Sequence, residues 1–269
     1  MYNKNNILFF YAIVYFAFLY LPVMLLPIFS FNDAIHMVFP LKGFTLKWYD
    51  QMIHSSRLHR ALMNSIKVGV IASIFSTFIA LMAAKAFTKY KVKLRQLSYG
   101  AILLPFVIPE IIIAVSLIVL WTGMGLQLGL VPVTISHILF CTPFCMLVLI
   151  SRMEGFDKNL EEAAMDLGEN AWGTFWRVTF PLALPAIVAS LLLSFVISFD
   201  EFILAFFLSS HDQTLPLYMW GQLRFPKKLP HVLALGAVII LATSIIVMLS
   251  YWLRNLGNPS DKKNNIGGI

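Results

Sequence analysis

The chain has 269 residues, of which 59% are hydrophobic and only 12% are charged, and its formal net charge is +7. Soluble globular domains carry about 25% charged residues, so this composition excludes a soluble domain and predicts an integral membrane protein. No basic patch interleaved with aromatic residues accompanies the positive charge, which argues against a nucleic-acid partner.

Six apolar stretches are long enough to cross a membrane, because a transmembrane helix needs roughly 20 residues. We predict an all-α polytopic membrane protein with a single transmembrane domain over 1–269 and a cytoplasmic loop at 151–181. The first stretch is too long for the apolar region of a signal peptide, and no small-x-small cleavage site follows it, so we expect an uncleaved helix. The predicted spans are 7–29, 62–84, 99–121, 128–150, 182–208 and 232–253.

The basic residues of the loops predict the orientation of the chain. Cytoplasmic loops of membrane proteins carry the excess of lysine and arginine. The richer side here includes both chain ends and the loop 151–181, so we predict that both termini are cytoplasmic. The basic residues of the richer side are Lys4, Lys85, Lys89, Lys91, Lys93, Arg95, Arg152, Lys158, Arg177, Arg254, Lys262 and Lys263; those of the other side are Lys42, Lys47, Arg57, Arg60, Arg224, Lys227 and Lys228.

Two aromatic residues of the first outer loop, Trp48 and Tyr49, are candidates for contact with a substrate. The face of either ring attracts a protonated amine by about 0.5–2 kcal/mol, depending on desolvation. The same residues are also typical of a short amphipathic helix at the membrane interface, which would place them there without any ligand. The sequence leaves both interpretations open.

The third stretch carries an acidic residue, Glu110, directly after Pro109. A charged side chain near the bilayer centre costs on the order of 2.5–3.5 kcal/mol on insertion scales, so such a residue usually faces a cavity and has a function there. Its negative charge favours a cationic passenger. Alternatively, Pro105 and Pro109 break the helix and leave Glu110 near an interface or bonded to freed backbone groups.

The fourth stretch contains His137, which can hydrogen-bond across helices, and two cysteines, Cys141 and Cys145. Without further cysteine or histidine at ligand spacing, we expect the cysteines to be packing residues rather than a metal or disulfide site. The chain has no Gly-x4-Gly-Lys-Ser/Thr phosphate loop and no Gly-x-Ser-x-Gly elbow. We therefore assign it no catalytic residue, metal or cofactor, and any ATP must be hydrolysed by another chain.

The loop between the fourth and fifth stretches is the largest polar gap of the chain. Asp157 is placed to cap a helix over 158–167, and Gly168 to end that helix in a left-handed turn. A second short helix over 171–178 would then run into Pro181. Such a rigid helical loop between two spans suits docking onto another protein. The alternative interpretation is an amphipathic hairpin that lies at the membrane interface.

The fifth stretch carries two adjacent acids, Asp200 and Glu201. Like Glu110, they are costly inside a membrane and point to a cationic passenger. Adjacent positions of a helix point about 100° apart. At most one of the two is therefore expected to line a path, while the other contacts a neighbouring chain.

The polar loop also contains a spaced motif. It reads Glu162-Ala163-Ala164, three residues, Gly168, nine residues, and then Val178-Thr179-Phe180-Pro181. This pattern resembles the EAA loop of ABC importer permeases, which has Ile and Leu where this chain has Val178 and Phe180. The resemblance implies the type I ABC importer permease fold, with Glu162, Ala163, Ala164, Gly168 and Pro181 in a coupling loop that sits in a groove of a cytoplasmic ATP-binding subunit.

Almost the whole chain resembles the PotC-type permeases of spermidine/putrescine importers. The stretches that carry this likeness are 43–49, 109–111, 136–144, 154–157, 198–201 and 215–217. Those permeases more often have Asp after the third-span proline and Asp-Asp in the fifth span, where this chain has Glu110 and Asp200-Glu201. The charge is kept, whereas the reach of the side chains differs.

The resemblance implies a polyamine permease of the bacterial inner membrane. Its implied partners are a second, PotB-like permease, two PotA-like subunits that bind ATP and Mg²⁺, and a soluble periplasmic PotD-like protein. Three other functions remain open from the residues. They are an importer permease for another substrate such as ferric iron or an aminophosphonate, a stand-alone cation carrier or channel, and a purely structural membrane subunit.

Overall fold

The computed structural model describes residues 4–89 and 95–255, and these residues are almost entirely helical. The segments 1–3, 90–94 and 256–269 lie outside the described residues, and so do Lys91, Lys93, Lys262 and Lys263 of the orientation prediction. The helices are α1 Lys4–Ser30, α2 Lys47–Ile53, α3 Ser56–Lys89, α4 Arg95–Val107, α5 Glu110–Gly123, α6 Leu130–Met153, α7 Lys158–Asp166, α8 Ala171–Thr174, α9 Phe180–Asp200, α10 Ile203–Leu208, α11 Leu215–Leu223 and α12 Leu229–Asn255. A π-helical segment, Phe175–Thr179, joins α8 to α9, and a 3₁₀ turn, Pro226–Lys228, precedes α12.

The chain divides into two compact units. Unit 1 comprises Met1–Arg60 and Tyr218–Thr243, and unit 2 comprises Ala61–Leu217 and Ser244–Ile269. The aromatic candidates of the outer loop belong to unit 1. All three acids and the polar loop belong to unit 2.

Five helical stretches of the described residues are long and apolar enough to cross a membrane, and a bent pair of helices makes a sixth if it is one span. Each of the six predicted stretches has a counterpart among them, which confirms the all-α polytopic fold. The stretches are Leu8–Ser30, Ser56–Lys89, the pair Gln96–Val107 and Glu110–Gly123, Leu130–Met153, Ala171–Asp200 and Pro226–Trp252.

The third predicted stretch, 99–121, is two helices rather than one. α4 ends at Val107 and α5 begins at Glu110, and the two helices are bent by 100° at the break. Pro109 has φ −53° and ψ 131°, outside the helical region. Proline has no N–H to donate and drives the residue before it away from helical geometry, so the break falls at this point.

The fifth predicted stretch, 182–208, is also interrupted. α9 ends at Asp200, Glu201 is extended with φ −67° and ψ 119°, and α10 then begins at Ile203. No proline or glycine lies between 199 and 203, so no residue known to break helices marks this interruption in the sequence.

Small polar residues line the contact between the long helices of unit 2. The Cys145 thiol lies 3.6 Å from the hydroxyl of Thr77 on α3 and donates to the Ser190 carbonyl on α9 at 3.7 Å. The Cys141 thiol donates to the Ser194 carbonyl, also at 3.7 Å. Both cysteines are buried and free. Small side chains let membrane helices approach closely and bond across the contact, which is the packing role expected of this pair.

A hydrophobic cluster joins the ends of α3 and α6 to the start of α9 and supports the polar loop. Phe175, in the π-helical segment, is buried in this cluster, so the loop is fixed to the membrane helices at its second half. The other buried members are Ala80, Leu81, Ala84, Phe87, Cys145, Met146, Leu149, Ile150, Met153, Ala183, Ala186 and Ile187.

Helix α3 packs closely on Phe195 of α9 at Gly69, and a larger residue there should destabilise the protein. A Cβ atom at position 69 would lie 3.0 Å from Cε2 of Phe195. We expect Gly69→Val to lower the free energy of unfolding by about 1–3 kcal/mol through overpacking, measured as a lower melting temperature of the detergent-solubilised protein. Gly100→Val is the matched control, because nothing lies within 4 Å of a Cβ there. Equal melting temperatures for the two variants would contradict the close packing.

Candidate functional site

The first feature of the site is a cavity at the break between α4 and α5. Glu110, the first residue of α5, is half-buried and contributes to its wall. A carboxylate at a helix N-terminus is stabilised by the helix dipole. The cavity has a volume of about 350 Å³ and is lined by Phe106, Val107, Ile108, Pro109, Glu110, Phe140 and Phe144.

Three aromatic rings line the same cavity as this carboxylate. The ring centroid of Phe144 lies 4.7 Å from that of Phe106 and 5.7 Å from that of Phe140. An ammonium group is attracted both by a carboxylate and by aromatic faces, most strongly where water is excluded. The cavity is therefore chemically suited to a protonated amine.

The two adjacent acids have different environments. Asp200 is exposed at the end of α9, whereas Glu201 is only 8% exposed. The Oε1 atom of Glu201 accepts a hydrogen bond from the backbone N–H of Leu204 at 3.0 Å. Glu201 therefore caps α10, and Asp200 is the acid of this pair that remains free to meet a solute.

The helices that follow these acids run parallel. Ile113 and Ala114 of α5 belong to one cluster with Leu204 of α10. Leu117, one turn further along α5, packs against a second cluster that contains Ala205 and Leu208 of α10. Because α5 begins at Glu110 and α10 begins just after Glu201, the two carboxylates lie at the same end of the helix pair, where their charges interact. The structure thus brings together two acids that are far apart in sequence.

A buried histidine holds the last turn of α9. The His137 Nδ1 atom lies 2.7 Å from the Ser198 hydroxyl, two residues before Asp200. His137 is fully buried, and its Nε2 atom finds no hydrogen-bond partner among the described residues. The hydrogen bond between helices that the sequence allowed is confirmed, and it supports the segment that carries the acids.

The outer-loop aromatic residues have contacts of their own within unit 1. Trp48 is 5% exposed, and its indole N–H donates to the Asn32 carbonyl at 2.9 Å. The Tyr49 hydroxyl lies 2.7 Å from that of Ser30, and its ring stacks on Phe31. These contacts order the loop and the short helix α2. Contact of either ring with a substrate stays a prediction.

The polar loop folds as the sequence predicts in its first half. The Asp157 side chain accepts from the Asn159 N–H at 3.0 Å and caps α7. Gly168 has φ +93°, a left-handed conformation that favours glycine. The second half differs from the prediction, because α8 continues through the π-helical segment into α9. Pro181 lies at the start of α9, directly after this π-helical segment.

One side of the loop is exposed and partly apolar. Glu162 and Ala163 are exposed, Ala164 is half-buried, and Leu167 is 88% exposed. Trp172, at the start of α8, is 70% exposed. Large exposed apolar residues rimmed by polar ones mark interaction surfaces. The motif residues therefore lie where a partner protein can contact them.

Glu161, which directly precedes the motif, faces inward toward α3 and the start of α9. Its carboxylate accepts hydrogen bonds from Lys89 on α3 and from Thr179 before α9. Burial acts to raise the pKa of Glu161, but the hydrogen bonds from Lys89 and Thr179 and the charges of Lys89 and Lys85 outweigh it and hold this pKa below its usual value. The side chain is therefore ionised at neutral pH. The sequence shows only two adjacent glutamates, and packing decides which one turns inward.

Apolar spanning helices, acids at their breaks and an exposed helical loop together define a polytopic membrane transport protein. The family described as "Binding-protein-dependent transport system inner membrane component" matches residues 76–260. The chain therefore belongs to this family of transport-system permease subunits.

Individual relatives agree with this family. The chain is 31% identical to the spermidine/putrescine transport system permease protein PotC of Escherichia coli K12, covering 92% of this chain and 95% of PotC. It is 31% identical to PotC of Haemophilus influenzae, covering 92% and 96%. It is 28% identical to the putrescine transport system permease protein PotI of E. coli K12, covering 88% and 87%.

Solved structures agree with the fold. A bacterial alginate ABC transporter in complex with an alginate pentasaccharide-bound periplasmic protein contains a chain that matches with a TM-score of 0.71 at 18% identity, covering 95% of both chains. The type I ABC importer permease fold expected from the EAA-like loop is thereby confirmed.

The two adjacent acids should differ in their effect on stability. Glu201→Ala removes the acceptor of the Leu204 N–H and is expected to lower the free energy of unfolding by about 1 kcal/mol, the usual effect of losing a helix cap. Asp200→Ala removes an exposed side chain and should leave the melting temperature of the detergent-solubilised protein unchanged. A larger loss from Asp200→Ala than from Glu201→Ala would contradict the assigned capping role.

Proposed function

We propose that this chain is the permease subunit of an ATP-driven importer that moves polyamines such as spermidine and putrescine across the bacterial inner membrane. The observation that carries the proposal is the carboxylate of Glu110, which lines an aromatic cavity. It lies at the same end of the helix pair α5 and α10 as Glu201. The likeness to PotC over 92% of the chain supports the same substrate class.

The chemistry of the cavity supports a polyamine in particular. A polyamine carries several ammonium groups joined by methylene chains, so it needs anionic and apolar contacts in alternation. Glu110 supplies the charge, while Phe106, Phe140 and Phe144 supply faces for the ammonium groups and surface for the methylenes. Asp200, being exposed, is the second anionic contact, and Glu201 adds its negative potential while it caps α10. Weak contacts of this kind replace part of the water shell and still allow release.

The fold alone does not choose the substrate. The structural relative described above is an alginate ABC transporter that shares the fold at low sequence identity, and alginate is an acidic polysaccharide. An anionic passenger would be repelled by the acids of this chain. The acids therefore favour polyamines over aminophosphonates, which are anionic.

The polar loop supports the remaining partners. We propose that Glu162, Ala163, Ala164 and Gly168 contact one of two PotA-like ATP-binding subunits, which bind ATP and Mg²⁺, on the cytoplasmic side. A second, PotB-like permease would complete the path, and a PotD-like periplasmic protein would deliver the polyamine. With the loop in the cytoplasm, both termini are cytoplasmic, in agreement with the basic residues of the loops.

Neutralising the cavity acid tests the function. We expect Glu110→Gln to lower ATP-dependent uptake of radiolabelled spermidine and putrescine by about tenfold or more, which corresponds to losing about 1.4 kcal/mol of attraction. Uptake is measured in membrane vesicles of known orientation that contain this chain with the transport subunits encoded beside it. Glu110→Asp, which keeps the charge, is the matched control and should retain most of the uptake.

Two outcomes would contradict the proposal. No polyamine uptake by an assembled wild-type complex would reassign the substrate within the importer family, with ferric iron as the next candidate. Uptake that continues without the ATP-binding subunits would indicate a stand-alone carrier instead.

The left-handed turn at Gly168 tests the coupling role of the loop. A side chain at φ +93° costs about 1–2 kcal/mol of backbone strain, so Gly168→Ala should distort the contact surface and lower polyamine-stimulated ATP hydrolysis of the assembled complex severalfold. Gly155→Ala is the control in the same loop, since it has no positive φ and its Cβ would meet only the Arg152 carbonyl at 3.6 Å. Equal ATPase rates in the two variants would contradict the role of the turn.

A further inference from the structure

We propose that Glu161 is a positioning residue for coupling, and that it clamps the polar loop to α3 and α9 so that the three elements move together. This inference rests on the proposed function, because it assigns a route by which ATP-driven movement of the loop reaches the membrane helices. It concerns a residue outside the EAA-like motif.

The contacts of Glu161 join three elements through one carboxylate. The residue itself lies in α7, its Oε2 atom accepts from the Lys89 ammonium of α3, and its Oε1 atom accepts from the Thr179 hydroxyl. Thr179 is directly followed by α9. Each oxygen thus binds a different helix end, and loss of the carboxylate would release both.

Burial strengthens this contact relative to the other ion pair of the loop. The Lys89 and Glu161 side chains are 26% and 22% exposed, whereas Arg177, which pairs with Glu169, is 75% exposed. Exposed ion pairs contribute little because water and salt screen them. The Glu161 contact is the better shielded of the two, and the lowered pKa of Glu161 keeps it charged.

A second cation reinforces the same junction. The Lys85 ammonium lies 4.1 Å from the ring centroid of Phe175, which is buried in the hydrophobic cluster of α3, α6 and α9. Its charge also acts on Glu161. The end of α3 therefore holds both halves of the loop, α7 through Lys89 and the π-helical segment through Lys85.

The two clamped helices lead toward the acids. α9 has 21 residues, so it spans about 30 Å at 1.5 Å per residue, and it ends at Asp200. Along this length α3 meets α9 again where Gly69 contacts Phe195. A displacement of α7 is thus applied to two helices that are packed on each other, and the far end of one carries an acid of the proposed path.

Charge reversal tests the clamp by function. In the assembled complex, Glu161→Lys is expected to lower the ratio of polyamine imported to ATP hydrolysed about tenfold, within the usual range of coupling between sites. The double variant Glu161→Lys/Lys89→Glu restores the ion pair in reverse and should recover most of the ratio. Glu161→Gln keeps the shape of the side chain and loses its charge, so it should also lower this ratio. It replaces Glu161→Lys in the test if that variant does not assemble. Glu169→Gln, which removes the exposed pair, is the matched control.

A distance measurement tests the clamp without polyamine. Spin labels at Asp166→Cys on α7 and Val70→Cys on α3, in a Cys141→Ser/Cys145→Ser background, should give a narrow distance distribution with and without ATP. Glu161→Lys should broaden the distribution, and the double variant should narrow it again. A distribution as narrow in Glu161→Lys as in the parent, or an unchanged transport ratio, would overturn the clamp. If the parent imports no polyamine, the proposed function fails while the distance measurement still decides the clamp.

Discussion

The need to satisfy backbone hydrogen bonds inside a membrane is the constraint on which this structure depends. A spanning helix meets that need along its whole length, so each interruption requires other partners for the freed groups. In this chain the interruptions coincide with the acids. Pro109 has no backbone N–H that would need a hydrogen-bond partner, and Glu110 follows it at the start of α5. Glu201 directly follows α9, and its carboxylate accepts from the N–H of Leu204. The breaks and the charges are therefore parts of one arrangement, in which the polar groups compensate each other.

Local chemistry made part of this arrangement predictable from the sequence. The apolar stretches predicted the long apolar helices, because length and composition determine which segments can cross a membrane. The Asp157 cap and the left-handed Gly168 follow from the preferences of single residues, and both are present. The break at Glu201 was not predictable, since neither proline nor glycine marks it and its cause is a contact of the carboxylate with the next helix. The inward turn of Glu161 was equally hidden, because only the packing of α7 against α3 distinguishes it from Glu162.

Helix packing and charge lie largely in different residues of this chain. Helix packing in unit 2 rests on small residues and thiols that bond to backbone carbonyls, such as Cys141 and Cys145. These contacts are neutral and do not depend on what is carried. The acids lie at helix ends, where Asp200 is exposed, whereas Glu201 also caps α10. Asp200 can therefore vary while the packing of unit 2 is kept.

The first helix illustrates a different kind of freedom. Only 6% of its apolar window is buried within the chain, so few of its side chains have a specific neighbour to fit. What the membrane requires of it is hydrophobicity and length, which many sequences provide equally well. Substitutions among leucine, isoleucine, phenylalanine and valine in this helix are close to neutral wherever lipid is the neighbour. Phe29 and Ser30, at the end of α1, are buried within the chain. Any exposed position of α1 that tolerates no such exchange therefore marks a contact with another protein, and saturation mutagenesis of this helix would identify that contact.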